Sequence, residues 1–227
     1  MTRPPRRRPR GPPRGPGGTR PWDGRTEDGR WYVLKCANNP QDGRLGPGEP
    51  LKVLPTKLVC ARLGHLLRPP VCPPFAVVDV PPDVAAAAVH PRTRKRPPQT
   101  AVPGPAFGCL RIEDAIEIKV DAARLSGVDP AQVARIAVFQ TWLRGIDVSA
   151  LVDGGCRLHS IDHGYFLGGH RWEPERLGRP GPVRLKLPSQ WTSRERLADP
   201  ALFAPTLAEL AAIPEEDLTW TLDIARP

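Results

Sequence analysis

Residues 142–169, WLRGIDVSALVDGGCRLHSIDHGYFLGG, are the stretch that decides the fold of this chain. Two apolar runs, at residues 148–152 and 156–161, flank an Asp-Gly-Gly turn. An Asp-Gly turn between two β-prone runs predicts a β-hairpin. Because a hairpin brings its open ends together, we expect Asp147 and Asp162 to be neighbours. Two carboxylates at the mouth of a hairpin suit metal and phosphate chemistry.

A helix is predicted directly before the hairpin. Asp129 is a suitable N-cap, and Pro130 fits the first helical position. Apolar residues from Val133 onward recur at helical spacing, and Gly145 suits the position just beyond the C-terminal end. The helix therefore delivers Asp147 one turn beyond its end.

The chain after the hairpin predicts little regular structure before two short helices. Glycines punctuate the first part of this segment, and a loop rich in Pro and Arg follows at residues 174–188. Weaker helical patterns occupy residues 204–213 and 215–224. The second half is therefore expected to be mostly helical.

The first half combines strands with one helix. A helix is expected from about Thr56, a suitable N-cap, to the pair Pro69 and Pro70, which would end it. A basic run within residues 90–105 predicts a solvated loop. Three runs rich in β-branched and aromatic residues predict strands, at residues 31–35, 75–80 and 107–112.

The formal charge of +9 is concentrated at one end of the chain. The first twenty residues hold seven Arg and no acidic residue, so the remainder is close to neutral. We expect residues 1–20, a Pro/Arg/Gly tract, to be a disordered tail. Because the rest carries little net charge, we expect no nucleic-acid partner beyond weak contact through the Arg-rich tail.

The cysteines and the apolar runs indicate the compartment. Five scattered cysteines form no C-x-x-C pair, so neither a disulfide framework nor a zinc ribbon is indicated. The basic N-terminus is not followed by the apolar run of a secretory signal. No apolar run approaches the roughly 18 residues of a membrane span. We therefore expect a cytoplasmic protein with no membrane partner.

The order of these parts suits phosphoryl transfer. A lysine on a strand can neutralise phosphate oxygens, and an aspartate delivered by a helix can accept the proton of an acceptor hydroxyl. A second aspartate after a hairpin can hold Mg²⁺ against the phosphates. Such chemistry depends on positioning and charge compensation, so a few rigidly placed charges suffice.

A metallohydrolase is the alternative enzyme class. Residues 159 and 163 are too far apart on a strand to converge without the turn, and no H-E-x-x-H or C-x-x-C spacing is present. Stoichiometric zinc in the purified protein would favour the hydrolase, whereas thermal stabilisation by Mg-ATP would favour a kinase. The candidate nitrogen, oxygen and sulfur ligands are His159, Asp162, His163, His170 and Cys156.

Several segments resemble the HipA-like kinases, bacterial relatives of the protein-kinase and phosphatidylinositol-kinase fold. The most specific is RLHSIDHGYFLGG at residues 157–169, because IDHG after a hairpin is this family's version of the metal-binding turn. The resemblance implies an α+β, two-lobed protein-kinase-like fold, with a small β-rich N-lobe at residues 21–112 and a mostly helical C-lobe at 113–227. The other segments are WYVLKCANNPQ (31–41), KLVCARLGHLLRPPVCPPFAVVDVP (57–81), AFGCLRI (106–112) and FQTWLRGIDVSALVD (139–153).

The resemblance also implies site residues and cofactors. Lys35 matches the lysine that contacts nucleotide phosphates, Asp147 the catalytic-loop aspartate that would act as the base, and Asp162 the magnesium ligand. Gly17 and Gly18 precede the Lys35 strand, where the family places its phosphate-covering loop. The tail then stands where a first strand should be, so the N-lobe would be incomplete. The implied cofactors are ATP and Mg²⁺, and the implied activity is transfer of the γ-phosphoryl group to a hydroxyl of a protein Ser or Thr.

Two departures from the family pattern keep a second interpretation open. No Asn follows Asp147 within residues 148–152, where the family usually has a second metal ligand. Lys57 stands where the family's helix offers a Glu to the strand lysine, and it would repel Lys35. Glu49 could substitute, but it lies in a Gly/Pro loop. The alternative to an active kinase is a non-catalytic kinase fold that binds a nucleotide or a protein partner.

Overall fold

The computed structural model describes residues 21–36, 52–90, 99–118, 127–146, 149–169, 172–173, 197 and 199–223. In these residues the fold is α+β and divides into two units. The first unit is residues 1–54 with 74–111, and the second is 55–73 with 112–227. Residues 55–73, which include most of a helix, lie in the second unit.

Most of the strands lie in the first half of the chain. In chain order the elements are β1 (Trp22–Arg25), β2 (Trp31–Cys36), α1 (Val53–Leu66), β3 (Phe75–Val80), α2 (Pro82–Ala87), β4 (Val89–His90), β5 (Gln99–Thr100), β6 (Gly104–Leu110), β7 (Ile116–Glu117), α3 (Pro130–Trp142), β8 (Ser149–Val152), β9 (Leu158–Ile161), α4 (Ala204–Ala211) and α5 (Glu215–Asp223). The three strands predicted in the first half are therefore confirmed, although β6 begins three residues early.

The first unit is built on an antiparallel sheet with the strand order β1-β2-β6-β3. A tight turn joins β1 to β2, and the Asp28 carboxylate accepts a hydrogen bond from the Arg30 backbone N–H at 3.1 Å. Tyr32 and Leu34 of β2 pack with Val78 of β3 in the core. Strands β4 and β5 pair separately and frame the predicted basic loop, of which residues 91–98 lie outside the described part.

Lys35 lies on an inner strand of this sheet. Side chains alternate along a strand, so Lys35 is on the face opposite to Leu34, and it is only 9% exposed. Its register partner on β6 is Phe107, which stacks on Phe75 with ring centroids 5.9 Å apart. Directly paired residues share a face, so this buried lysine sits beside an aromatic pair.

The second unit packs helices against a small antiparallel sheet of order β7-β8-β9. Helix α3 begins as predicted, since the Asp129 side chain accepts from the Ala131 backbone N–H at 2.9 Å and Pro130 follows. Phe139 of α3 and Phe166 after β9 are fully buried in its core. The buried apolar residues of α1, α3, β8 and β9 form one cluster, which fixes the hairpin on the helices.

Two predicted helix boundaries were wrong. Helix α1 begins at Val53, so Thr56 lies inside it; this buried hydroxyl instead accepts a hydrogen bond from the Trp172 indole at 2.8 Å. Beyond the end of α3 the left-handed residue is Arg144, with φ of 52°, rather than Gly145. Gly145 serves packing, because a Cβ there would lie 2.9 Å from the Phe166 ring.

Gly64→Ala is expected to lower the free energy of unfolding by about 1–3 kcal/mol, because a Cβ at this position in α1 would collide with the Cys72 sulfur and crowd Phe139. In an open helix the same change would be stabilising. Urea unfolding measures the difference. The matched control is Gly154→Ala, where a Cβ would meet nothing within 4 Å. A Gly64→Ala protein as stable as the wild type would show that α1 is less tightly packed than described.

Candidate functional site

The predicted hairpin is present, with a wider turn than expected. Strands β8 and β9 pair antiparallel, from Ser149 opposite Ile161 to Val152 opposite Leu158. Residues 156 and 157, predicted to begin the second strand, belong to the turn. The reason is the Asp153 carboxylate, which accepts backbone N–H groups of Gly155 and Arg157, each at 2.9 Å. The Cys156 N–H donates to the Asp153 backbone carbonyl at 3.1 Å, so these three bonds hold residues 153–157 as a turn.

Asp153 also holds His159. Its second carboxylate oxygen is 3.0 Å from His159 Nε2. Burial acts to raise the pKa of Asp153, but the hydrogen bonds from His159 and the turn N–H groups outweigh it, so the pKa is lowered. Burial lowers the pKa of His159 despite the neighbouring carboxylate. The pair fastens the turn to β9 and has a structural role.

Asp162 lies immediately after β9, where the chain leaves the sheet. Its backbone is left-handed, with φ of 59° and ψ of 50°, and a short 3₁₀ turn follows at His163–Tyr165. Asp tolerates this conformation better than most residues. The side chain is 24% exposed, so the carboxylate stands at the surface of the second unit rather than within its core.

The partner of Asp162 is Lys57 of helix α1. Its ammonium nitrogen lies 2.5 Å from Asp162 Oδ1, and the Lys57 side chain is 2% exposed. Among the described residues, no other acidic side chain lies within ion-pair distance of Lys57. A buried ammonium without a counter-ion would be costly, so the carboxylate is what allows a lysine at this position.

His163, the next residue, is enclosed in a hydrogen-bonded chain. Gln140 donates its side-chain N–H to the Ser160 hydroxyl at 3.0 Å, and that hydroxyl lies 2.9 Å from His163 Nε2. Phe139 and Phe166 meet the imidazole edge to face. Burial, followed by the charge of Lys57, lowers the pKa of His163 to about 3. The ring is therefore neutral at physiological pH and supports the turn that presents Asp162.

The structure describes two of the residues assigned by the resemblance. Lys35 belongs to the first unit, and Asp162 to the second. Asp147, Gly17 and Gly18 lie outside the described residues, so the expected proximity of Asp147 and Asp162 is not described either.

Sequence reasoning missed the partnership of Lys57 with Asp162. The available signal was the position of Lys57 on α1, since Lys57, Cys60 and Gly64 follow helical spacing and are all buried. A lysine on the buried face of a helix requires a buried or half-buried carboxylate, but the spacing of 105 residues gave no means of choosing it.

Those candidate ligands of the metallohydrolase that the structure describes do not converge. His159 is bound to Asp153, His163 to Ser160, and Cys156 is exposed in the turn, while His170 lies outside the described residues. Within the described part of the chain, no group of three or more His, Cys, Asp or Glu side chains is arranged to hold a metal ion.

A resident Mg²⁺ at Asp162 does not fit the side chains that the structure describes there. One carboxylate oxygen is already 2.5 Å from an ammonium nitrogen, and a divalent cation at the same carboxylate would lie close to that positive charge. The ammonium cannot easily withdraw to water because it is almost completely buried. The positive charge beside the Asp162 carboxylate is therefore that of the Lys57 ammonium.

Comparison with known proteins adds no family assignment. No protein-family model matches the chain, and no curated protein matches it significantly. None of the helices in the described residues is both long and apolar enough to cross a bilayer.

Proposed function

We propose that the chain is an ATP-binding protein of the HipA-like kinase type, with the two-lobed arrangement that the resemblance implies. Its first candidate activity is transfer of the γ-phosphoryl group to a hydroxyl, that of a protein Ser or Thr by resemblance. The observation that carries the proposal is Asp162, a half-buried carboxylate presented at the end of a rigid hairpin within IDHG. A carboxylate in this place acts on phosphate groups through the cation that it holds, and here that cation is the Lys57 ammonium.

The first unit supports the same proposal. Lys35 is held on an inner strand of an antiparallel sheet and is largely withdrawn from water. In the protein-kinase mechanism a strand lysine pairs with nucleotide phosphates, and the next element along the chain is a helix. Among the described residues, helix α1 comes after β2 along the chain. A partly desolvated lysine interacts more strongly with an anion than an exposed one does.

The test of phosphoryl transfer is labelling of a Ser/Thr-containing protein with [γ-³²P]ATP and Mg²⁺. Asp147→Ala and Asp162→Asn are each expected to reduce labelling by roughly 100-fold, the loss typical for removal of a preorganised charge. Asp79→Asn removes an exposed carboxylate from β3 and is the matched control, expected to label as the wild type does. Undiminished labelling in both test variants would contradict the assignment of Asp147 and Asp162.

A second candidate function is nucleotide binding without phosphoryl transfer. The pairing of Lys57 with Asp162 favours it, because the carboxylate assigned to the metal is already neutralised. This candidate predicts that ATP raises the melting temperature while no labelling occurs. If ATP neither stabilises the protein nor labels an acceptor, both candidates are wrong.

A further inference from the structure

We propose that the Lys57 ammonium is the resident counter-cation of Asp162, so that this site binds a nucleotide without a divalent metal ion. The nucleotide part of the inference rests on the ATP binding that both candidate functions share. Lys57 and Asp162 both lie in the second unit.

The ammonium and the carboxylate are in direct contact. Lys57 Nζ lies 2.5 Å from Asp162 Oδ1, within direct hydrogen-bonding distance. A cation that bridges a carboxylate and a phosphate must lie directly against the carboxylate oxygen, as a magnesium ion does at 2.0–2.1 Å in general. The ammonium already holds such a first-contact position, so it neutralises the carboxylate that would otherwise repel an approaching phosphate.

The two side chains of the pair differ in burial. Lys57 is 2% exposed, whereas Asp162 is 24% exposed, so the pair is open to solvent only on the carboxylate side. If a divalent ion displaced the ammonium, a positive charge would remain in the apolar packing of α1 near Cys60, which is fully buried. Binding of a metal ion at Asp162 is therefore unfavourable, because the displaced Lys57 ammonium could not be solvated by water.

The sign of the charge at position 57 decides which cation lies beside Asp162. The resemblance implies a glutamate there that pairs with the strand lysine, and such a glutamate would give Asp162 no positive partner. The chain has a lysine instead, and its ammonium contacts the carboxylate assigned to the metal. The lysine on α1 therefore supplies the positive charge that a metal ion would otherwise supply.

The first experiment compares calorimetric titrations of the full chain with ATP in EDTA and in Mg²⁺. The wild type is expected to bind with affinities that agree within about threefold, whereas Lys57→Met is expected to lose about tenfold or more in EDTA and to recover it with Mg²⁺. Lys52→Met, which changes an exposed lysine just before α1, is the control and should behave as the wild type. Wild-type binding that requires Mg²⁺ would overturn the inference while leaving the proposed function intact, whereas absence of ATP binding in both buffers would overturn the proposed function.

The second experiment needs no nucleotide. Mn²⁺ is titrated against the protein and free Mn²⁺ is measured by electron paramagnetic resonance. We expect no stoichiometric binding by the wild type and saturable binding by Lys57→Glu, with Lys57→Met as the intermediate case if the glutamate variant does not fold. Stoichiometric binding by the wild type that Asp162→Asn abolishes would overturn the inference whatever the result with ATP.

Discussion

Asp162→Ala is expected to lower the free energy of unfolding by about 3–5 kcal/mol, the usual cost of leaving one member of a buried ion pair without its partner. The variant retains the Lys57 ammonium, which is 2% exposed and 2.5 Å from the lost carboxylate oxygen. No other acidic side chain among the described residues lies close enough to Lys57 to replace it. Equilibrium unfolding in urea measures the change.

Lys57→Met and the double variant Asp162→Ala/Lys57→Met separate the cost of an unpaired ammonium from a general loss of packing. Lys57→Met leaves Asp162 at 24% exposure, where water can solvate the carboxylate, so its expected loss of stability is smaller. The double variant is expected to be more stable than Asp162→Ala alone by at least about 1 kcal/mol, because the stranded ammonium is gone. Additive losses would show that the two side chains are not energetically coupled.

Local signals explain what the sequence predicted correctly. The hairpin follows from an Asp-Gly turn between β-prone runs, and the start of α3 from Asp129 as N-cap with Pro130 after it. Each of these signals acts within a few residues, so tertiary packing has little opportunity to override it. Strand β1 was missed because WDGR has none of the β-branched residues that mark a strand.

Long-range partnerships explain what the sequence did not predict. Lys57 and Asp162 are 105 residues apart, and no local pattern links them. The hydrogen bonds of the Asp153 side chain extend the turn before β9, although the residues themselves suit a strand. Both contacts are made by polar side chains whose partners depend on the folded backbone, which periodicity alone does not reveal.

Acidification from about pH 7.5 to pH 4 is expected to cost roughly 3 kcal/mol of stability through His163 alone. The unfolded imidazole has its ordinary pKa of about 6.5, whereas burial and the charge of Lys57 lower the folded pKa to about 3. Between these values the unfolded chain binds more protons than the folded chain, so the stabilising contribution is complete above about pH 6.5 and is lost as the pH falls toward 3. Urea unfolding at a series of pH values measures the slope.

His163→Phe isolates this contribution, since a phenyl ring can occupy the space between Phe139 and Phe166 but cannot be protonated. The variant loses the hydrogen bond between the Ser160 hydroxyl and His163, so it is expected to be less stable at neutral pH. Its loss on acidification should nevertheless be smaller than that of the wild type by about 3 kcal/mol, because the other titratable groups are common to both proteins. An equal loss in both proteins would mean that His163 is protonated in the folded state at pH 4. In that case the chain of hydrogen bonds from Gln140 through Ser160 would not keep the imidazole neutral beside Lys57.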